Sequence, residues 1–482
     1  MPRSIRVPRQ SIVKVGTHKI ISRYSYLTNN MLKYFTNGFA KILNNSVVKN
    51  AFILYIGRAV NLIIGLLSTL IYGVIFLKKD IALISLFEMV VGLFLSFGFT
   101  WSTMAVTRFG KEELKNNNSL GYTSSIRIGI IAPLLLISII LLVLFKESLL
   151  EYIGSKDTTL ISLLICNLVL LVIHEHIIYI FITVEKHFFN ALHYIGESIG
   201  KIGILAIFYF RLVENPSAEL YLKLSVIILM VLLVIRLFFI KYHYFFPIVV
   251  GKKHDYVRHL KYVLPQIYGF CGLYIINWVD VYFIRMYCTM DDLGAYQFMY
   301  SIFVKLSGFA IIINTIFFPK IMDWKITGSE NFKKYLRYAP TGVLLGAVVC
   351  FGIFLHIYPP VFSLFFNDKF GSAYSSFNIL VLSLPFVFGS YLFVPVLNSY
   401  DRVGYIQLVN VISAGCNILI DYYFIRKYGI IAAAYATLIA YLCKYILLSM
   451  ATERMFNVKF TLINVFIVMI SICAIIYLKN IY

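Results

Sequence analysis

The chain has 482 residues, of which 60% are hydrophobic and only 13% charged, and its formal net charge is +21. A soluble domain carries about 25% charged residues, so a soluble fold is excluded; apolar runs such as LLSTLIYGVIF (66–76) and IIAPLLLISIILLVLF (130–145) also lack the alternation of a barrel strand. Nor does the positive charge point to nucleic acid: residues 1–49 hold nine Lys or Arg and no acid, and the other bases gather in alternate loops, the positive-inside pattern of membrane proteins.

At about 20 residues per helical span, the apolar runs predict an all-α, polytopic integral membrane protein. About thirteen spans fall near 50–76, 81–106, 124–146, 158–183, 190–210, 219–240, 262–287, 292–318, 337–358, 374–398, 403–425, 429–450 and 459–479. They group into a basic cytoplasmic tail (1–49), an N-lobe of six helices (50–240), a basic cytoplasmic linker (241–261), a C-lobe of six helices (262–450) and one additional C-terminal helix (451–482). With the N-terminus in the cytoplasm, 18 loop bases lie inside and 11 outside. The first helix is expected to act as an uncleaved signal-anchor, with Met1 or Met31 as the start. Membrane lipids are the expected partner of the basic tail and linker.

A charge at the bilayer centre costs roughly 2.5–3.5 kcal/mol, so buried charges usually face a cavity or a partner. Taken in chain order, Arg58 lies a third of the way along the first span. Its guanidinium can grip phosphate oxygens in a bidentate fashion, or it snorkels to the headgroups. Glu88 is an acid in the second span. Glu175, in the fourth, stands between His174 and His176; residues two apart point to different faces of a helix, so no metal site is expected and Glu175 should pair with a base on a neighbouring helix. Glu197 and Lys201 in the fifth span are four apart, the spacing of an intrahelical ion pair.

Asp280 and Arg285 follow in NWVDVYFIR (277–285). Asn277 is placed to donate to Asp280, and Arg285 to snorkel. Lys305, in the middle of the eighth span, shares a face with Ser301 and Gly308. Arg127, Asp421 and Lys444 lie near span ends and read as snorkelling anchors. The segment KKDIALISLFEMVVGLFLSFGF (78–99) overlays MDDLGAYQFMYSIFVKLSGFAI (290–311) without gaps, as in transporters built from two related bundles. Seven cysteines are scattered singly, so neither zinc nor a disulfide framework is expected. No nucleophile elbow, phosphate-binding loop or HExxH motif is found, so no catalytic residues are expected, and transport would be secondary.

Several of these residues carry a resemblance. The run LPQIYGFCGLYIINWVDVYFIRMYCTMDDLGAYQFMYSI, with Pro265, Asn277-x-x-Asp280 and Gly294-x-Tyr296, resembles the seventh and eighth helices of polysaccharide flippases of the multidrug/oligosaccharidyl-lipid/polysaccharide exporter superfamily. FFPKI (317–321), SAYSSFNILVLSLPF and the stretch NSYDRVGYIQ to YATLIAY resemble the exit of the eighth helix and the tenth to twelfth helices; TRFG (107–110) resembles the end of the second. The resemblance covers nearly the whole chain, most firmly 262–450. It implies outward flipping of an undecaprenyl-pyrophosphate-linked oligosaccharide across a bacterial inner membrane, for O-antigen or capsule. Together with the cost of mid-membrane charges, this gives Arg58, Lys201 and Lys305 as the expected substrate-binding bases of a cationic cavity, and Glu88, Glu175, Glu197 and Asp280 as expected ion-coupling or gating acids; the resemblance itself bears on Arg58 and Asp280. It further implies coupling to H+ or Na+ without a cofactor, and polysaccharide polymerase or assembly proteins as partners. An ion-coupled multidrug exporter of the same superfamily, or a membrane-embedded glycan polymerase or ligase, are the alternatives.

Overall fold

Two helices start where an acid in the first turn meets the chain that enters the helix. Asp80 is the third residue of one helix and takes the backbone N–H of Leu77 (3.2 Å); Asp292 holds the same place in another and takes the hydroxyl of Thr289 (2.7 Å). Both carboxylates satisfy donors left open by a helix N-terminus. They occupy matching positions in the two overlaid segments. The computed structural model describes residues 46–468 and 470, save 214, 241–243, 245–248 and 329; the side chains of 46–56, 58, 314–316 and 319 are also outside the description.

The described chain is carried by α1 (Ser46–Ile75), α2 (Lys78–Phe94), α3 (Thr103–Asn117), α4 (Gly121–Leu144), α5 (Lys146–Ile153), α6 (Thr159–Thr183), α7 (His187–Tyr209), α8 (Ala218–Phe239), α9 (Lys253–Tyr287), α10 (Met290–Thr327), α11 (Glu330–Phe366), α12 (Tyr374–Ser399), α13 (Val403–Tyr428) and α14 (Ile430–Phe456), and residues 461–468 are helical as well. No strand occurs among the described residues. Among the described residues eleven segments are long and apolar enough to cross a membrane, and they coincide with the second to twelfth predicted spans. The protein is therefore an all-α, multi-pass membrane protein. The predicted first span falls on α1, whose side chains are described in part; the predicted thirteenth span and the basic tail run partly outside the described residues.

The described residues from 55 onward form one unit. Within it α12 packs against α10, α11 and α14, and α9 lies along α13. Helix α2 lies along α10, so the two overlaid segments meet in space. Their contact is close because Gly294 has no side chain: a Cβ there would stand 1.8 Å from the carbonyl oxygen of Lys78. That obstacle is backbone and cannot rotate away. Gly294→Ala is expected to lower stability by about 3 kcal/mol, as overpacked contacts do, read as an earlier thermal melt of the purified chain; an unchanged melt would refute the contact.

Between α2 and α3 the helix changes pitch twice, through a π-helical turn at Leu95–Phe99 and a 3₁₀ turn at Thr100–Ser102. Such turns free backbone groups and redirect side chains. Here they aim Thr100 and Ser102 at buried charges on α6 and α4.

Candidate functional site

A cavity of about 480 Å³ is lined by α1, α2, α7, α8, α9 and α10. It collects four of the predicted residues: Glu88 from α2, Glu197 and Lys201 from α7, and Lys305 from α10. Lys201 and Glu197 form an ion pair at 2.8 Å. Lys305 and Glu88 have no ion-pair partner among the described residues. The Lys305 stem lies across Gly65 of α1, where a Cβ would come within 3.3 Å of its Cε. Ser301 lines the cavity beside Lys305, while Gly308 faces Leu62 instead.

Two ammonium groups and two carboxylates make the described lining formally neutral, where a cationic cavity was expected. The rest of the wall is amide, hydroxyl and aromatic, including Asn61, Asn277, Trp278, Gln297 and Tyr300. Such a wall offers hydrogen bonds in both directions and flat apolar faces. Arg58 sits one turn before Asn61 in α1, and its side chain lies outside the described residues.

Contacts bridge the helices before and after the linker at both ends of this region. On the linker side, Arg258 donates to Glu112 (3.0 Å) and the Tyr122 hydroxyl donates to Asp255 (2.5 Å). On the opposite side the acceptors are backbone. Arg285 donates to the carbonyls of Tyr152 (2.7 Å) and Glu151 (3.1 Å), at the end of α5. Lys369 donates to the carbonyls of Gly73 (2.9 Å) and Phe76, at the end of α1. Helix C-termini leave carbonyls unpaired and carry partial negative charge, so they suit cations. Arg285 thus holds a neighbouring helix instead of snorkelling.

Glu175 lies outside the cavity, in a buried network. It accepts from Thr100 Oγ1 (2.7 Å), and no base is within ion-pair distance of it among the described residues. Its neighbours diverge as the helix period requires. His176 Nδ1 accepts from Arg127 (2.7 Å), which also donates to Ser102 Oγ (3.0 Å). His174 Nδ1 accepts from Arg236 (3.2 Å), so its Nε2–H donates to the Leu229 carbonyl (2.9 Å) and the ring is neutral. Arg127 is 1% exposed, which corrects its reading as a snorkelling anchor: the frame of α4 turns it inward.

Asp280 is also outside the cavity and fully buried. It accepts from the hydroxyl of Tyr296 on α10, from Asn417 Nδ2 on α13 (2.8 Å) and from Thr437 Oγ1 on α14 (2.7 Å). Asn277 does not serve it; that amide accepts from Tyr300 instead (3.4 Å). Beside Asp280 lies a second carboxylate, Asp421, within hydrogen-bonding reach. It too is fully buried, and neither of its oxygens has a donor among the described residues. Asp421 and Lys444, both read from sequence as anchors at span ends, are interior groups. Two buried carboxylates in contact require a cation or a shared proton between them. The Asn417–Asp421 spacing of four was the sequence signal for this site.

No family model matches the chain. It is 23% identical over 425 residues to an uncharacterized membrane protein of Methanocaldococcus jannaschii, covering 83% of this chain and 82% of that protein. It is 21% identical over 192 residues to a protein of Haloferax volcanii described as a probable low-salt glycan biosynthesis flippase, covering 39% of this chain and 40% of that protein. Among solved structures it is similar to the lipid II flippase MurJ in an inward closed conformation, with a TM-score of 0.67, 17% identity, and coverage of 89% of this chain and 99% of that one. It is similar also to an inward-facing multidrug resistance transporter of the MATE family, with a TM-score of 0.57, 14% identity, and coverage of 84% and 100%. The chain has the fold of the transporters of the multidrug/oligosaccharidyl-lipid/polysaccharide superfamily.

Proposed function

We propose that the protein flips a polyprenyl-pyrophosphate-linked oligosaccharide, with undecaprenyl as the bacterial carrier and O-antigen or capsule as the destination. The observation that carries this reading is the cavity: an unpaired ammonium at Lys305 beside a wall of amides, hydroxyls and aromatic rings. The ammonium suits a phosphate oxygen, and the wall suits sugar hydroxyls and sugar faces. The fold shared with a lipid II flippase and the partial likeness to a glycan flippase support the same class of cargo. Lys201 is held by Glu197 and becomes a second anchor when that pair opens; Arg58 would be a third.

The halves before and after the linker rock against each other. Arg258–Glu112 and Tyr122–Asp255 close one side, and the Arg285 and Lys369 contacts close the other. The Asp280–Asp421 pair takes the coupling ion, Na+ or H+, away from the cargo. Deleting the gene should leave lipid-linked glycan in the leaflet where it is made, detected by extraction and by protection from an added glycosidase. Unchanged glycan together with raised drug susceptibility would instead favour the multidrug exporter reading.

A further inference from the structure

The acid pair does not stand alone in the interior of the later helices. On α13 the residues Asn410, Ser413, Asn417 and Asp421 share one face, and all four are at most 3% exposed. Asn410 Oδ1, Asn417 Oδ1 and both oxygens of Asp421 have no partner among the described residues, while Ser413 meets the Cys443 thiol. At 1.5 Å per residue this row runs about 16 Å along the helix. Buried oxygens left open in series signal water or an ion that completes them.

Across from this row α14 carries Lys444, 9% exposed. It lies seven residues beyond Thr437, on the same helix face and about 10 Å further along. Its neighbour Cys443 interacts with both Ser413 and Cys416, which sets Lys444 at the level of the middle of the row. No carboxylate lies within ion-pair distance of it among the described residues. A buried ammonium needs acceptors, and the open amide oxygens of Asn410 and Asn417 are the nearest candidates on the facing row, neither bonded to it directly.

We infer that Lys444 is a built-in counter-charge that limits the acid pair to a single monovalent cation. The inference rests on the ion-site reading of Asp280 and Asp421 given above. With both acids charged, the pair carries −2 and Lys444 +1; one bound cation brings the compartment to neutrality and a second would leave it charged. Lys444 also weakens the first cation's binding, because it repels that cation across the interior from a position about 10 Å beyond Thr437 along α14. At an effective dielectric near 20 such a repulsion corresponds to roughly a tenfold change in affinity. Lys444 contacts neither cation nor cargo, so it acts as a positioning residue.

The test measures binding of radioactive Na+ to the purified full chain by scintillation proximity, at one fixed pH and without any glycan. The wild type is expected to bind one Na+ per chain. Lys444→Met is expected to bind the first Na+ about tenfold more tightly and to admit a second; Lys444→Arg should match the wild type. Should Lys444→Met fail to reach the membrane, Lys444→Gln removes the charge while keeping polarity and is read in its place. Na+ binding by the charge-removed variant with wild-type affinity and number overturns the inference and leaves the ion site standing. No Na+ binding by the wild type overturns the inference and the Na+ form of the ion-site reading, leaving H+ as the ion of that site. Loss of binding in Asp421→Asn, with the Lys444→Met change seen in the parent, supports both.

Discussion

Lys305→Ala is expected to cut translocation of the lipid-linked glycan at least tenfold, with the chain still present in the membrane. Of the cavity's two ammonium groups, Lys201 is engaged by Glu197, which leaves Lys305 free to meet an anion. A hydrogen bond to a charged group contributes about 1.5–3 kcal/mol net, and each 1.36 kcal/mol is a factor of ten. Removing the ammonium therefore costs from about tenfold to about a hundredfold. Folding should survive, because Lys305 has no ion-pair partner to strand, and its stem only covers Gly65. Lys305→Arg should retain part of the activity, since the charge is kept while the larger head must fit beside α1. Surface polysaccharide, scored beside membrane levels of each variant, reads the effect. Wild-type polysaccharide in Lys305→Ala would remove this residue from the site.

Asp280→Ala should be the most damaging single change in the later helices, and it should act on stability as well as transport. Three donors, from Tyr296, Asn417 and Thr437, converge on this carboxylate. Each buried donor left unpaired costs about 1–3 kcal/mol, so the loss approaches the whole margin of a folded domain. Asp421→Asn offers the informative contrast. No donor among the described residues serves the Asp421 carboxylate, so neutralising it strands nothing and relieves a repulsion. It should melt no earlier than the wild type, yet lose the dependence of transport on a Na+ or H+ gradient. A melt of Asp421→Asn as early as that of Asp280→Ala would contradict this division of labour. Gradient-dependent transport that survives in Asp421→Asn would exclude it from coupling.

The two kinds of membership in these sites were not equally visible in the sequence. The spans were legible because a bilayer admits little besides runs of apolar residues. Glu88, Glu197, Lys201 and Lys305 were visible because a mid-membrane charge must have a reason, and the cavity gathers all four. Arg127, Asp421 and Lys444 were misread because they lie nearer the span ends. There a charged side chain either reaches the headgroups or turns inward, and the rotation of the helix decides which. That rotation is set by neighbours distant in the chain: Asp421 meets Asp280 only because α13 lies along α9. Arg285 was misread for the same reason, since the carbonyls it holds belong to α5, more than a hundred residues earlier. The motif Asn277-x-x-Asp280 suggested one shared role, but the two side chains serve different places, one at the cavity and one at the acid pair.

The contacts on the side away from the linker have a consequence for how this protein can vary. Arg285 and Lys369 hold backbone carbonyls, and every residue type supplies a carbonyl. Among the positions that receive them, Glu151 needs no particular side chain for its bond, whereas Gly73 and Phe76 are held by packing: a Cβ at Gly73 would stand 2.2 Å from the Phe298 ring, and Phe76 is 1% exposed. In a family tree the two bases would persist while no second position changed in step with them, so correlated substitutions would leave this side of the molecule blank. Arg258 and Glu112 on the linker side meet side chain to side chain, and there a charge lost on one partner can be restored on the other. A search for paired changes would find the contacts on the linker side and pass over those on the other.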